Sequence, residues 1–309
     1  MRNKTVASGC IIFFFLLTTG NLNAMQAAKN NQLDPPPQQE ELDKAFLRII
    51  YVFDQQATKE DEKILITDTM ALDIAQNWSV YYDWNKERRD SVAKVKDQKL
   101  IQTLKSVNVL KDPENEIFER FEAMHRKPEI MNDRKGEDAR IFKNRSDNTT
   151  ITIDKGPLTG AGKGIYLRLK EPIPPMDWQI SEDTISIMGY LCYKATVPFR
   201  GRNYTAWFSP EIPINEGPWK LYGLPRAILS AKTEDGLFRF QAIGIEQIKD
   251  VPIRFPSDRD FEEAKTLKQV NDYRRSKLKD ISLSYMDNGT MTILRKRNPV
   301  KYNDLELSE

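Results

Sequence analysis

The sequence predicts a mainly β fold, a curved antiparallel sheet with a helical insertion and a C-terminal surface helix, in the β-rich α+β class. Three observations carry this expectation. Runs of strand length rich in isoleucine, tyrosine, phenylalanine and threonine recur along most of the chain, separated by turns bearing glycine, proline or aspartate. The links between them are too short for repeated helical crossovers, which favours antiparallel pairing with one face on a core and the other toward water. Between Lys86 and Met131 the apolar residues change to helical spacing.

Taken in order, the run AFLRIIYVFDQQ from Ala45 reads as a strand and KEDEK after it as a turn. ILITDTMALDIAQNWSVYYDWN supplies two more strand candidates, with Ile66, Met70, Leu72, Trp78, Val80 and Tyr82 in short-range alternation. In the insertion, Val92, Val95, Ile101 and Leu104 lie near one helical face. Pro113 opens a second candidate helix carrying Ile117, Phe118, Phe121 and Met124. From Arg140 the strands return as RIFKN, TTITID, IYLRLKE, TISIMGYLCYKATVPF, NYTAWFS, RAILSAKT and LFRFQAIGIEQI, and Asp235-Gly236 is the strongest hairpin signal among them. A surface helix is expected from Asp258 to about Lys279, on Phe261, Ala264, Leu267 or Lys268 and Val270 or Asn271. GTMTILRKRNPVKYNDLELSE then reads as a last strand and a loose end from residue 295 to 309.

The 309 residues carry 47 basic and 45 acidic side chains, a formal charge of +2. Such a balance excludes a strongly basic nucleic-acid footprint and an acidic solvating tail on composition alone. Arg2 and Lys4 precede an apolar run from Val6 to Leu17 and a cleavage-compatible site after Ala24, so residues 1–24 read as a secretory signal peptide. An apolar core of about twelve residues is short of the roughly 20 that span a bilayer. Cys10 falls inside that core rather than after it, which argues against lipidation. The mature chain is therefore expected to be exported, periplasmic, associated with the outer envelope or secreted, with no transmembrane segment and no net formal charge. Residues 25–44, polar and containing Pro35 to Pro37, are expected to be a flexible lead-in to the domain at 45–294.

Several residues invite chemical readings. Cys192, the single cysteine after Ala24, has no disulfide partner and is expected as a buried apolar filler. His125, the only histidine, sits in the charged helical region with no acid, cysteine or second histidine spaced to make it a base or ligand. One histidine and one cysteine cannot furnish the usual zinc set, so no metal and no cofactor is assigned. GPLTGAGKG resembles a phosphate loop, but Pro157 stands at the first glycine position and Gly164 follows Lys163 where serine or threonine is required. It is expected to be a strand connection. The basic triplet Arg295 to Arg297 is too short for a nucleic-acid groove.

The segment from Tyr190 to Ser230 is the least ordinary. Trp178 with Ile180, Gly189-Tyr190, Cys192, Ala195-Thr196, Phe199-Arg200-Gly201-Arg202, Ala206-Trp207, Ile212-Pro213, Gly217-Pro218-Trp219-Lys220 and the string GLPRAI from Gly223 to Ile228 follow one another in order. In this the chain resembles the GLPGLI family, exported bacterial proteins found mainly in the Bacteroidetes and named for the motif that appears here as GLPRAI. The similarity extends more weakly back to Ala45 and forward to about Ile248. The resemblance implies an exported β-rich protein but no catalytic residues, because none is assigned in the family. This chain departs from the motif with Arg226 and Ala227 in place of glycine and leucine.

Two readings of the segment stand side by side. In one, Gly223 and Pro225 make a tight turn, Leu224 plugs it into the core and Arg226 points to water, with Gly217, Pro218 and Cys192 also structural. In the other, Trp207, Phe208, Trp219 and Tyr222 line a cleft rimmed by Arg200, Arg202, Lys220 and Arg226, which takes an extended peptide, a glycan or a lipid. On function, the leading expectation is a non-enzymatic binding or accessory protein of the cell envelope, with an envelope protein such as an outer-membrane transporter as partner. The alternative is a secreted hydrolase with an acid-based or metal-dependent site, although Glu211 and Glu216 lack a recognisable acid–base partner.

Overall fold

A computed structural model of the chain describes residues 41–92, 137–158, 164–256, 260–287, 290–297 and 300–307. Its first strand, β1 (Glu41–Lys59), is also its longest. It is followed by β2 (Glu62–Ile74), β3 (Trp78–Asp83) and a helix α1 at 84–92. Next come β4 (Arg140–Asn144), β5 (Thr149–Leu158) and β6 (Gly164–Pro172), then β7 (Gln179–Ile187), β8 (Tyr190–Phe199), β9 (Arg202–Ser209), β10 (Ala227–Thr233) and β11 (Phe238–Arg254). The chain continues with β12 (Asp260–Glu263), helix α2 (Leu267–Lys279), β13 (Asp280–Asp287), β14 (Thr290–Arg297) and β15 (Val300–Tyr302).

One open 13-stranded sheet dominates, in the order β12-β6-β5-β4-β3-β2-β1-β11-β10-β9-β8-β7, with β15 also paired to β1; β13 and β14 form a separate hairpin. Apart from the parallel β12–β6 pair, the ladders are antiparallel. The expected mainly β, antiparallel fold is thus found. It consists of two meanders, β1 to β6 and β7 to β11, joined where β11 returns to pair with β1 from Glu41↔Arg254 to Gln55↔Phe238. Register shifts after Glu41, Ala45 and Ile50 interrupt that long ladder, and such bulges increase the local twist of a sheet.

Tight turns explain the hairpins. Glu60-Asp61, Met188-Gly189 and Arg200-Gly201 each hold positive φ at both central residues, and the flanking pairs Lys59↔Glu62, Ile187↔Tyr190 and Phe199↔Arg202 close around them. Two such residues match the twist of a two-residue hairpin. The run TISIMGYLCYKATVPF is therefore a hairpin rather than one strand, with its turn at Met188-Gly189. Asp235-Gly236 lies in the link between β10 and β11, where Thr233 Oγ1 donates to Asp235 Oδ1 and the N–H of Leu237 donates to the same oxygen.

The two meanders share a core. Tyr51, Met70, Leu72, Tyr81 and Ile141 from the first pack with Ala195, Val197, Tyr204, Phe208, Ile228 and Phe240 from the second. On the other face of the first meander, Ala71, Val80, Tyr82, Phe142, Ile151 and Ile153 form a further cluster. Strands β3 and β4 are consequently covered on both sides. In β4, Ile141 faces the shared core and Phe142 the second cluster, so by alternation Lys143 points to the shared core.

The structure revises several boundaries. Residues 41–44 belong to β1 rather than to a flexible lead-in. The helix expected from Asp258 begins at Leu267, because Asp260–Glu263 pairs with β6 and places Phe261 against Tyr166. Ala264, Leu267 and Val270 then cover Leu169. The expected loose end contains β15, which pairs Ala57 with Tyr302 and Lys59 with Val300. Arg295 to Arg297 end β14. The first residues of the predicted insertion are helical through residue 92; the rest of it, His125 and residues 159–163 of the glycine-rich string lie outside the described residues. Leu158 and Gly164, within that string, pair with each other across β5 and β6.

Candidate functional site

Residues 210–226, between β9 and β10, hold the two motifs singled out from the sequence. Proline at 210, 213, 218 and 225 removes backbone donors and discourages a continuous strand. The segment is instead fastened at a few points. Glu216 and Tyr222 form an isolated antiparallel bridge, and the N–H of Ile228 donates to the Glu216 carbonyl at 2.9 Å. Trp219 takes a positive φ of 54°, so its side chain turns into the core beside Phe199 and Tyr204, with ring centroids 5.7 and 6.1 Å away. Leu221 and Leu224 are buried with it.

The GLPRAI turn follows the structural reading. Gly223 has a φ of 90°, Leu224 is buried, and Arg226 is exposed with its guanidinium donating to the Pro225 carbonyl. Arg226 is absent from the residues with positive φ, so an arginine stands there without backbone strain. Ala227 is buried in β10 opposite Ser209. Tyr222 is held from both ends: its hydroxyl donates to the Pro174 carbonyl, and its own carbonyl accepts from Trp178 Nε1, both at 2.8 Å.

Three of the basic candidates converge, but on acids and carbonyls of the same chain. Lys220 Nζ is 2.7 Å from Glu171 Oε2 and 2.8 Å from Glu306 Oε1, and Arg200 donates to Glu171 Oε1 at 2.9 Å. Arg202 pairs with Asp235, donates to the carbonyls of Asp304 and Leu305, and stacks on Phe238. The segment 304–306 thus covers the basic rim that the sequence offers to a ligand. Trp207 is half-buried in β9, opposite Lys194, and packs against the shared core. With Arg226 it remains accessible, while Arg200, Arg202, Trp219 and Lys220 are turned inward and Tyr222 is half-buried.

Sequence reading missed the most unusual group in this region. Lys143 and Glu216 are 1% and 2% exposed, with Lys143 Nζ 2.5 Å from Glu216 Oε2. Lys143 Nζ also donates to the carbonyl of Gly217 at 2.9 Å. Glu216 Oε1 accepts from Arg145 Nη1 at 2.5 Å and from Ser79 Oγ at 3.0 Å. Burial pushes the Lys143 amine below the usual lysine range, an effect that the negative charge of Glu216 only partly offsets. Nothing in RIFKN marks Lys143 as interior, because a lysine after two apolar residues ordinarily begins a solvated strand end.

Cys192 is buried in β8, and burial pushes its thiol up to about 11. Among the described residues no group of three or more His, Cys, Asp or Glu side chains is placed to hold a metal ion. No helix among them is long and apolar enough to cross a membrane. A second accessible feature is the last strand of the sheet. Among the described residues β7 pairs only with β8, all but its final residue are exposed, and Ile180, Ile185, Met188 and Leu191 are exposed by 38 to 54% around it.

No family model and no curated protein matches the chain. Among solved structures, it is similar to PNGF-II in the P21 space group, at 13% identity and a TM-score of 0.45 over 79% of this chain and 35% of that one. The C2 crystal form of PNGF-II gives 13% identity and a TM-score of 0.42 over 78% and 35%. This chain therefore spans about a third of the length of those structures.

Proposed function

We propose that this chain is a non-enzymatic binding or accessory protein of the cell envelope that captures an extended segment of a partner along β7. The observation that carries the reading is the edge itself. Among the described residues β7 has one strand neighbour, and exposed Ile180 and Ile185 lie along it. An edge of this kind offers backbone donors and acceptors for strand addition, with apolar side chains to select alternate residues of the incoming strand. Asp177, Glu182 and Asp183 are exposed here, with Lys194 paired to Asp183, so the matching occupant is an apolar segment bearing basic residues. The envelope location rests on the export signal read at residues 1–24, and an envelope protein such as an outer-membrane transporter is the corresponding partner. The resemblance to the GLPGLI family agrees with an exported protein.

The test is affinity capture of the full chain in native envelope extracts, with chemical cross-linking and mass spectrometry of what is retained. A specific partner cross-linked at β7 is expected, with affinity reduced about tenfold or more by Ile185→Lys, the loss of about 1.4 kcal/mol. Absence of any specific partner, or capture unaffected by Ile185→Lys and by a proline at Thr184, overturns the reading.

A further inference from the structure

We propose that Lys143 and Glu216 condense into an intramolecular amide, a covalent tie between β4 and the loop that precedes β10. An amine and a carboxyl are held together here away from water. Lys143 Nζ is 2.5 Å from Glu216 Oε2, both side chains are almost wholly buried, and yet Oε2 has no hydrogen-bond partner. The hydrogen bonds of Nζ run to the carbonyls of Gly217 and Leu221. The amine and the carboxyl are thus held in direct contact as a buried ion pair.

The other carboxyl oxygen is differently placed. Oε1 receives Arg145 Nη1 and Ser79 Oγ, which puts two donors where negative charge develops when a nucleophile adds to the carboxyl carbon. Arg145 is itself fixed by donating to the carbonyls of Ala75 and Gln76. Oε1 is thus the oxygen that stays, and Oε2 the one that leaves.

The step balances within the pair. The Lys143 ammonium passes a proton to Oε2, and the nitrogen lone pair forms a bond to Cδ while the C=O electrons move onto Oε1. A second proton passes from nitrogen to Oε2, the C=O bond to Oε1 re-forms, and the Cδ–Oε2 bond breaks with its electron pair leaving on water. One of the three ammonium protons remains as the amide N–H, and no external acid, base or oxidant takes part. Burial favours the neutral amine that must attack. Fixed proximity replaces the cost of bringing two reactants together. The product also removes two charges from a dry interior, where each is unfavourable unless paired. Its polar atoms inherit partners already in place, the N–H facing the Gly217 carbonyl and Oε1 facing Arg145 and Ser79.

Intact-mass measurement of the full chain, with its N-terminus determined on the same sample, tests this. The expected mass is that of the encoded chain less one water, with proteolysis giving a branched peptide that joins the segments containing Lys143 and Glu216. Lys143→Met and Glu216→Ala are each expected to restore the encoded mass and abolish the branched peptide. A wild-type chain at its full encoded mass overturns the proposal whether or not the variants fold. So does a water loss that maps to a cyclised Asp235-Gly236 instead of to the branched peptide.

Discussion

At Gly217 the core leaves no space for a methyl group. A Cβ built there would lie 2.7 Å from Ile228 Cδ1 and 2.9 Å from the Leu221 carbonyl oxygen, and the second of these cannot swing aside as a side chain does. Gly217→Ala is expected to destabilise the protein by about 1–3 kcal/mol, the range for overpacking, measured by denaturant unfolding. The sequence marked this glycine as structural from its place beside Pro218 and Trp219, but gave no sign of the Lys143 and Glu216 side chains next to it. Charged residues look alike in sequence whether they are solvated or buried in pairs. At Cys192 the sequence was sufficient, since a lone cysteine in an apolar strand is most simply core. Its thiol, pushed up to about 11 by burial, is expected to resist alkylation at neutral pH in the folded protein and to react once denaturant is added. Peptide mapping of the labelled chain checks this.

Among the elements, β1 is anchored at its start by a single carboxylate. Asp43 accepts from the backbone N–H groups of Lys44 and Asn77 at 2.8 Å and of Trp78 at 3.3 Å, tying β1 to the β2–β3 turn. Burial alone would raise its carboxyl, but these donors and the charge of Arg145 outweigh it and hold Asp43 below the usual range. A carboxylate with a lowered folded pKa contributes stability above its unfolded value of about 3.9, and that contribution is lost as pH falls through the folded value. Asp43→Ala is therefore expected to cost about 1 kcal/mol at neutral pH. The gap from wild type should shrink as unfolding titrations are taken below about pH 4. The C-terminal segment behaves likewise as part of the fold. Glu306→Ala leaves Lys220 with Glu171 as its remaining carboxylate, and a loss of about 1–3 kcal/mol in unfolding free energy is expected. Its DLELSE sequence reads as a loose end because its partners Arg200, Arg202 and Lys220 lie about a hundred residues away, beyond any local pattern.

For the molecule as a whole, the controlling contact is the β1–β11 ladder, which joins residues 41–55 to residues 238–254. The shared core draws on both meanders, so neither can bury its apolar face alone. Fragments 41–175 and 176–307, expressed separately, are each expected to lack cooperative thermal unfolding by circular dichroism, whereas the intact chain should show it. Either fragment unfolding cooperatively by itself would contradict a core held in common. Folding of the intact chain is expected to be slow for its size, because so much pairing is distant in sequence.

The sequence by itself determined the antiparallel β class, most strand positions from Arg140 onward and the burial of Leu224 and Cys192. These follow from local rules: alternation, turn chemistry and the preference of apolar groups for the interior. Only the tertiary structure decided that the run from Thr184 to Phe199 turns back at Met188-Gly189, that Asp260–Glu263 is a strand, and that the basic residues near Trp219 face the chain's own acids. The last two depend on what another part of the chain brings alongside: β6 for Phe261, and Glu171 and Glu306 for Lys220. A sequence records which side chains must find partners, while the closure of two meanders around one core settles which partners they find.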